Sequence, residues 1–335
     1  MKVAVLAPVA WRTPPRHYGP WEQVASNIAE GLIKKGVDVT LFATGDSITA
    51  GTLDSICEKG YEEDRTQDAK VLECLHISNL MEKASEFDLI HNNFDFLPLT
   101  YSGLIKTPLI TTIHGFSSTR IVPVYKKYND LGYYVSISNA DRSPELKYLA
   151  TVYNGLNTED FTFVEQPEDY LLYFGRIHHD KGTAEAIEIA KKAKRKLLIA
   201  GIIQDEGYYK SKVEPYIDNE QIVYVGHAGP DKRKELLGKA AALLHPINFN
   251  EPFGMSVAEA MLCGTPVIAF NRGSMQELIK HQETGFLVNT IDEAVEAVSL
   301  LPNIKRKDCF DWASANFSCD KMVNDYHKLY QKILS

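Results

Sequence analysis

Short apolar, β-branched runs alternate with longer segments of helical period, and this alternation most constrains how the chain can fold. KVAVLA is followed by PWEQVASNIAEGLIKKG and then by VDVTLFA. In the middle segment Val24, Ile28 and Leu32 recur along one helical face, Pro20 suits a first turn and Gly36 suits a stop. A strand, a covering helix and a second strand make a β-α-β unit. The pattern resumes with FDLIHN, PLITTIHG, YYVSISN and TVYNG, each short enough for a strand of a parallel sheet covered on both faces. After the polar, acidic stretch NTEDFTFVEQPEDY a second series runs LLYFGRI, KLLIAG, QIVYVGH, AALLHPI, PVIAF and GFLV, with GTAEAIEIAKKAK and SVAEAMLCG as helices among them.

The expectation is an α/β chain of two Rossmann-like, doubly wound parallel-sheet domains, over 1–158 and 159–317, with a final helix in 318–335 packing back on the first. A length of 335 residues with 44% apolar and 24% charged residues suits two moderate cores. Open sheets of this kind hold ligands at the carboxyl ends of their strands, so two facing domains would share one interdomain cleft.

The net charge of −8 argues against nucleic acid as a partner, although a small basic pocket for one diphosphate is compatible with it. The five cysteines are far apart and include no C-x-x-C pair, which reads as reduced thiols in a cytoplasmic protein. KVAVLAPVAW is too brief an apolar run for a secretory signal, contains Pro8 and reads as a buried first strand. No run approaches the roughly 18–20 apolar residues needed to span a bilayer, so any membrane contact would be peripheral.

Chemistry concentrates in the strand-to-helix loops. In EPFGMSVAEAMLCGTPVIAF, Glu251 and Glu259 bracket seven residues. With a helix starting near Ser256, Glu251 lies in the loop and Glu259 projects from the first turn. The amides of Gly254, Met255 and Ser256 are then exposed at a helix amino terminus, which favours oxygen-rich and anionic ligands. A carboxylate at such a position accepts hydroxyl hydrogen bonds from a sugar or ribose. The loop FGRIHHDKG supplies Arg176, with a planar fork for phosphate oxygens, and Lys181, a compact charge; together they can offset a departing diphosphate. In HYGPWEQ, Gly19 stands at the turn into the first long helix, either for close ligand approach or as an ordinary turn glycine. His114 ends the strand PLITTIHG, is followed by Gly115, and has a donor for a sugar hydroxyl or a backbone contact. The first loop lacks G-x-G-x-x-G and the second strand ends in Ala43, Thr44 and Gly45, so no nicotinamide fingerprint is present. Asp-x-Asp is absent and the histidines show no metal-ligand spacing; neither a metal nor a cofactor is expected.

This set of loops resembles the retaining GT-B glycosyltransferases of family four, the glycogen-synthase-like and capsule and lipopolysaccharide sugar transferases. The resemblance covers nearly the whole chain and rests on Glu251 with Glu259, Gly175-Arg176 with Lys181-Gly182, and TGFLV; His114-Gly115, Asn154-Gly155 and Gly19 support it less strongly. It implies a sugar transferase whose substrates are a nucleotide-sugar, with UDP and glucose or a close relative preferred, and a saccharide or lipid-linked acceptor. It also implies that Arg176 and Lys181 bind the donor diphosphate and that Glu259 binds the ribose. Glu251, with Phe253, Gly254, Met255 and Ser256, would hold the donor sugar. His114 would face that sugar, and Gly19 would let the first loop approach. Two departures stand out: the usual glycine pair of the first loop is Gly19-Pro20, and the turn after KLLIAG reads GIIQDEGYY. A sugar-nucleotide epimerase and a non-catalytic sugar-binding module are the alternatives, since fold alone does not settle reaction class.

Overall fold

The computed structural model describes residues 1–17, 19–116 and 119–335. The chain forms two units, one of Met1–Gly155 with Cys319–Ser335 and one of Leu156–Ser318.

The first unit carries β1 (Lys2–Leu6), β2 (Asp38–Phe42), β3 (Thr52–Asp54), β4 (Leu89–Asn92), β5 (Leu109–Ile113), β6 (Tyr133–Ser136) and β7 (Tyr148–Thr151), with α1 (Pro20–Lys34), α2 (Ala69–Glu82) and α3 (Val122–Lys127). The strands form a parallel sheet in the order β3-β2-β1-β4-β5-β6-β7. Alternation along β1 explains why the sheet is covered twice. Val3 and Val5 enter the core beneath α1, whereas Ala4 and Leu6 enter the core beneath α2. Val24, Ile28 and Leu32 of α1 are fully buried in the first of these, each contributing about 1.5–3 kcal/mol by leaving water.

The second unit carries β8 (Tyr170–Phe174), β9 (Lys196–Ala200), β10 (Ile222–Gly226), β11 (Ala242–His245), β12 (Val267–Phe270) and β13 (Gly285–Val288). Its helices are α4 (Thr183–Lys192), α5 (Glu206–Tyr208), α6 (Pro230–Lys239), α7 (Met255–Leu262), α8 (Met275–Leu278), α9 (Ile291–Leu300) and α10 (Arg306–Asn316). The order β10-β9-β8-β11-β12-β13, again parallel, is that of a doubly wound nucleotide-binding sheet. In each sheet the winding reverses once, next to β1 and β4 in the first and next to β8 and β11 in the second. Those reversals splay the following loops apart and leave a crevice at the carboxyl ends of the strands.

The last helix, α11 (Cys319–Leu334), belongs to the first unit and packs on α1. Met322, Tyr326 and Tyr330 recur every four residues on its buried side. The Tyr330 hydroxyl meets His91 Nδ1 at 2.6 Å, His91 Nε2 meets Thr112 Oγ1 at 2.7 Å, and that oxygen meets the Tyr326 hydroxyl at 2.7 Å. This chain satisfies polar groups that would be costly to bury alone.

The expected parallel sheets are present, with two local differences. The strand expected over TVYNG lies earlier, at Tyr148–Thr151, because YLAT pairs with β6 while the chain beyond it turns away. The edge strand β3 and the helix α2 have no clear apolar run or stripe; Asp68 caps α2 by accepting from the Val71 amide at 3.1 Å. Among the described residues no helix is long and apolar enough to cross a membrane.

Candidate active site

Pairing of β11 with β8 brings two loops together in the second unit. The loop after β8 runs through Gly175 and Arg176, is anchored by the fully buried Ile177, and ends at Gly182, whose left-handed φ of 74° starts α4. A Cβ at Gly182 would stand 1.9 Å from the Pro246 carbonyl oxygen of the loop after β11, so only glycine permits this approach. The Asn248 amide donates to the Asp180 carbonyl at 2.7 Å and fixes the two loops in register.

Across that contact Lys181 Nζ donates to Glu251 Oε2 at 2.6 Å, with the two side chains 16% and 13% exposed. The ammonium also lies 4.4 Å from the centroid of the Phe249 ring. The buried His245 places Nε2 3.7 Å from Glu251 Oε2, beyond hydrogen-bond length, and that nitrogen has no hydrogen-bond partner. Burial alone would raise the Glu251 carboxyl, but the His245 ring and the Lys181 charge outweigh it and hold the group down to about 2. Its backbone is clasped as well: the Ser274 amide donates to the Glu251 carbonyl at 2.9 Å. A Cβ on Gly273, whose φ is 59°, would lie 2.3 Å from that oxygen.

Lys181 and Glu251, assigned from sequence to different parts of a donor, are thus ion-paired with each other. Arg176 makes a different contact, donating from Nη1 to Gln204 Oε1. Gly254, with φ 96°, precedes α7, which begins at Met255. The Val257 amide closes on the Gly254 carbonyl at 3.0 Å, whereas the Met255 and Ser256 amides come before any helical acceptor and those residues remain partly exposed. Glu259 is the fifth residue of α7 and not in its first turn, and it is 6% exposed. Arg233 Nη1 of α6 donates to its Oε1 at 3.2 Å; burial raises this carboxyl and Arg233 opposes the rise. The Phe253 ring is 2% exposed and packs edge-on against Phe317 at 5.8 Å, so its side chain belongs to the core and leaves its backbone to the loop.

In the first unit β1 pairs with β4, and the loops after them open at the sheet's reversal. Gly19, buried with φ 151°, caps the amino end of α1. His114 follows β5, stacks on Trp21 at 5.6 Å and 23°, and meets Asn93 Oδ1 through Nε2 at 3.1 Å. Burial lowers its pKa to about 3, so the ring is neutral. In the tautomer that donates from Nε2 to Asn93, the lone pair sits on Nδ1, which has no partner and can accept from a hydroxyl. Asn93 Nδ2 is also buried and unpartnered. Two adjoining unmet polar atoms are what a ligand site leaves open.

His245, Asn93, Arg233 and Gln204 are site neighbours that the sequence analysis did not single out. His245 and Asn93 each sit at or just after a strand end, which is the signal that could have found them. His178, His179 and Asp205 bring ligand atoms within 4.8 Å of one another. His179 is exposed and already paired with Asp180, so this group by itself points to no metal.

Residues 158–310 match the family described as glycosyl transferases group 1. An uncharacterized glycosyltransferase of Methanocaldococcus jannaschii is 23% identical over 347 residues, a span covering 86% of this chain and 85% of that protein. Sucrose-phosphate synthase from Thermosynechococcus elongatus has a similar fold, with a TM-score of 0.78 and 19% identity over 99% of each chain. The Anabaena protein HepE, solved in complex with UDP and glucose, gives a TM-score of 0.71 and 18% identity, again over 99% of each. These structural likenesses carry the fold, which is GT-B.

Proposed function

This chain carries a group 1 glycosyltransferase domain on the GT-B fold, and we propose that it transfers glucose or a close relative from a UDP-linked donor, without metal and with retained anomeric configuration. The acceptor is a saccharide or a lipid-linked sugar. HepE, with UDP and glucose bound, supports the choice of donor by likeness of fold.

The observation that carries the reading is the part-buried Lys181–Glu251 pair at the β8/β11 reversal, beside the open first turn of α7. A diphosphate at this point meets the amides of Gly254, Met255 and Ser256 and draws the Lys181 ammonium and the Arg176 guanidinium towards its oxygens. Glu251, held near 2, stays ionised and acceptor-only at neutral pH. Such a group holds donor-sugar hydroxyls and is too weak a base to take the acceptor's proton. Glu259 binds the ribose through the oxygen that Arg233 leaves unused. His114 accepts a hydroxyl hydrogen bond at Nδ1, and Gly19 keeps the turn into α1 free of a side chain.

The acceptor oxygen bonds to the anomeric carbon on the face from which the phosphate leaves. The anomeric carbon–phosphate oxygen bond breaks, and the departing phosphate oxygen takes the acceptor's proton. Lys181, Arg176 and the helix-end amides stabilise the charge as it develops there. A panel of UDP-, GDP- and ADP-glucose, run with and without a mixed saccharide acceptor pool, tests the proposal. Nucleotide release that depends on acceptor and is fastest with UDP-glucose is expected. An isomerised sugar without acceptor would replace transfer by epimerisation.

A further inference from the structure

The first unit contains a cavity of about 540 Å³ at the reversal of its own sheet, a size within the usual range for small-molecule sites of roughly 300–1,000 Å³. Its walls come from the loop after β1, the start of α1, the segment after β3 and the loop after β4. Trp11, Trp21, Tyr61, Phe94 and Phe96 supply aromatic surface. Sugar rings place C–H faces against such surface while their hydroxyls seek acceptors at the edges.

The acceptors present are carboxylates. Glu22 is 3% exposed, and burial raises its carboxyl to about 7, against the pull of the Glu22 and Trp11 amides, so near neutrality it can both donate and accept. Glu73 Oε1 accepts from the Tyr61 hydroxyl at 3.1 Å, which leaves its other oxygen for a ligand. Asp95 has a φ of 132° and is held there from two sides: Oδ1 accepts from the Tyr125 hydroxyl at 2.5 Å, and its carbonyl accepts from Asn92 Nδ2 at 2.8 Å. Among the described lining residues none is a lysine, arginine or histidine. Nearby Arg16 is occupied by Asp46 and Glu63. An anionic ligand would thus meet two or three like charges with no cation to offset them, an arrangement that rejects it without weakening a neutral one. The His114 ring stacks on Trp21, one of the aromatic rings of the cavity wall.

We propose that this cavity binds an uncharged saccharide and excludes its phosphorylated counterparts. Taken with the transferase reading, on which this last step rests, the acceptor of the reaction is a neutral sugar and not a sugar phosphate.

The test is saturation-transfer NMR on the full chain without nucleotide-sugar, using maltose, cellobiose and lactose against glucose 1-phosphate and glucose 6-phosphate. Binding at the cavity is the part lost in Trp11→Ala, and UDP binding is measured alongside. Expected are Trp11-dependent signals from at least one disaccharide and phosphate esters bound at least about tenfold more weakly. A second variant, Glu73→Lys, replaces a repelling charge with an attracting one and should shift the preference towards glucose 6-phosphate by about tenfold. Equal or tighter Trp11-dependent binding of the phosphate esters overturns the inference, as does saccharide binding that neither variant alters. Loss of UDP binding in the parent protein with saccharide binding intact would contradict the transferase reading and leave this site standing.

Discussion

Lys181 and Glu251 are ion-paired with each other in a part-buried setting, so removing one leaves a poorly solvated charge without its partner. Lys181→Ala is expected to lower turnover at saturating donor by about 100- to 1000-fold and to cost roughly 3–5 kcal/mol of stability. Pairing it with Glu251→Gln should recover much of the stability and none of the turnover. Thermal melts and steady-state rates on the two proteins separate these effects, and near-normal turnover in a folded Lys181→Ala protein contradicts the phosphate assignment. Arg176→Ala has no such burden, since its partner Gln204 is neutral; its loss should fall on turnover alone. How much of this was legible in sequence differs by residue. Strand ends and helix starts placed Arg176, Lys181, Glu251 and His114, because loop position follows from apolar pattern. Pairing is a tertiary property. Nothing in FGRIHHDKG announces Glu251 as the partner of Lys181, and nothing in EPFG separates a core ring at Phe253 from a ligand contact.

At the scale of elements, α11 is joined to β4 and β5 by the Tyr330–His91–Thr112–Tyr326 chain. Tyr330→Phe leaves His91 Nδ1 buried without a partner and should cost about 1–3 kcal/mol by denaturant titration. A cost near zero would mean that packing alone holds the helix. His91 of this network and His76 of α2, which meets the Ala7 carbonyl, set a pH response. His76 and His91 are fully buried, which lowers them to about 4 and about 3. Below their ordinary value of 6.5 the unfolded chain takes up protons that the folded chain refuses. The stability from keeping them neutral is whole above pH 6.5 and falls by about 1.4 kcal/mol per pH unit for each as pH drops towards 4. Glu22 and Asp141, both raised to about 7, act oppositely: their contribution is whole below their ordinary values and lost as pH rises through 7. The difference between variants is therefore the clean measurement. His91→Gln should lose less stability than the parent protein between pH 7 and pH 5, and an unchanged difference would contradict burial of the neutral ring. Elements with continuous apolar runs were readable from sequence. The strand β3, three residues at a sheet edge, and α2, with no marked apolar stripe, form because of their neighbours and were not.

For the whole molecule, the fold is GT-B, and the transfer proposed for it needs only charged side chains and helix-end amides at the diphosphate. Activity should survive excess chelator. A complete loss, restored by adding back a divalent ion, would contradict this and direct attention to His178, His179 and Asp205. The central claim is that the sugar passes to an acceptor on the face from which the nucleotide leaves. Proton NMR of the linkage formed from UDP-α-glucose tests that claim most directly, because transfer and stereochemistry are read from one anomeric signal. The account predicts an α linkage in the product. A β linkage would establish inversion and contradict both the proton path through the departing phosphate and the role given to Glu251.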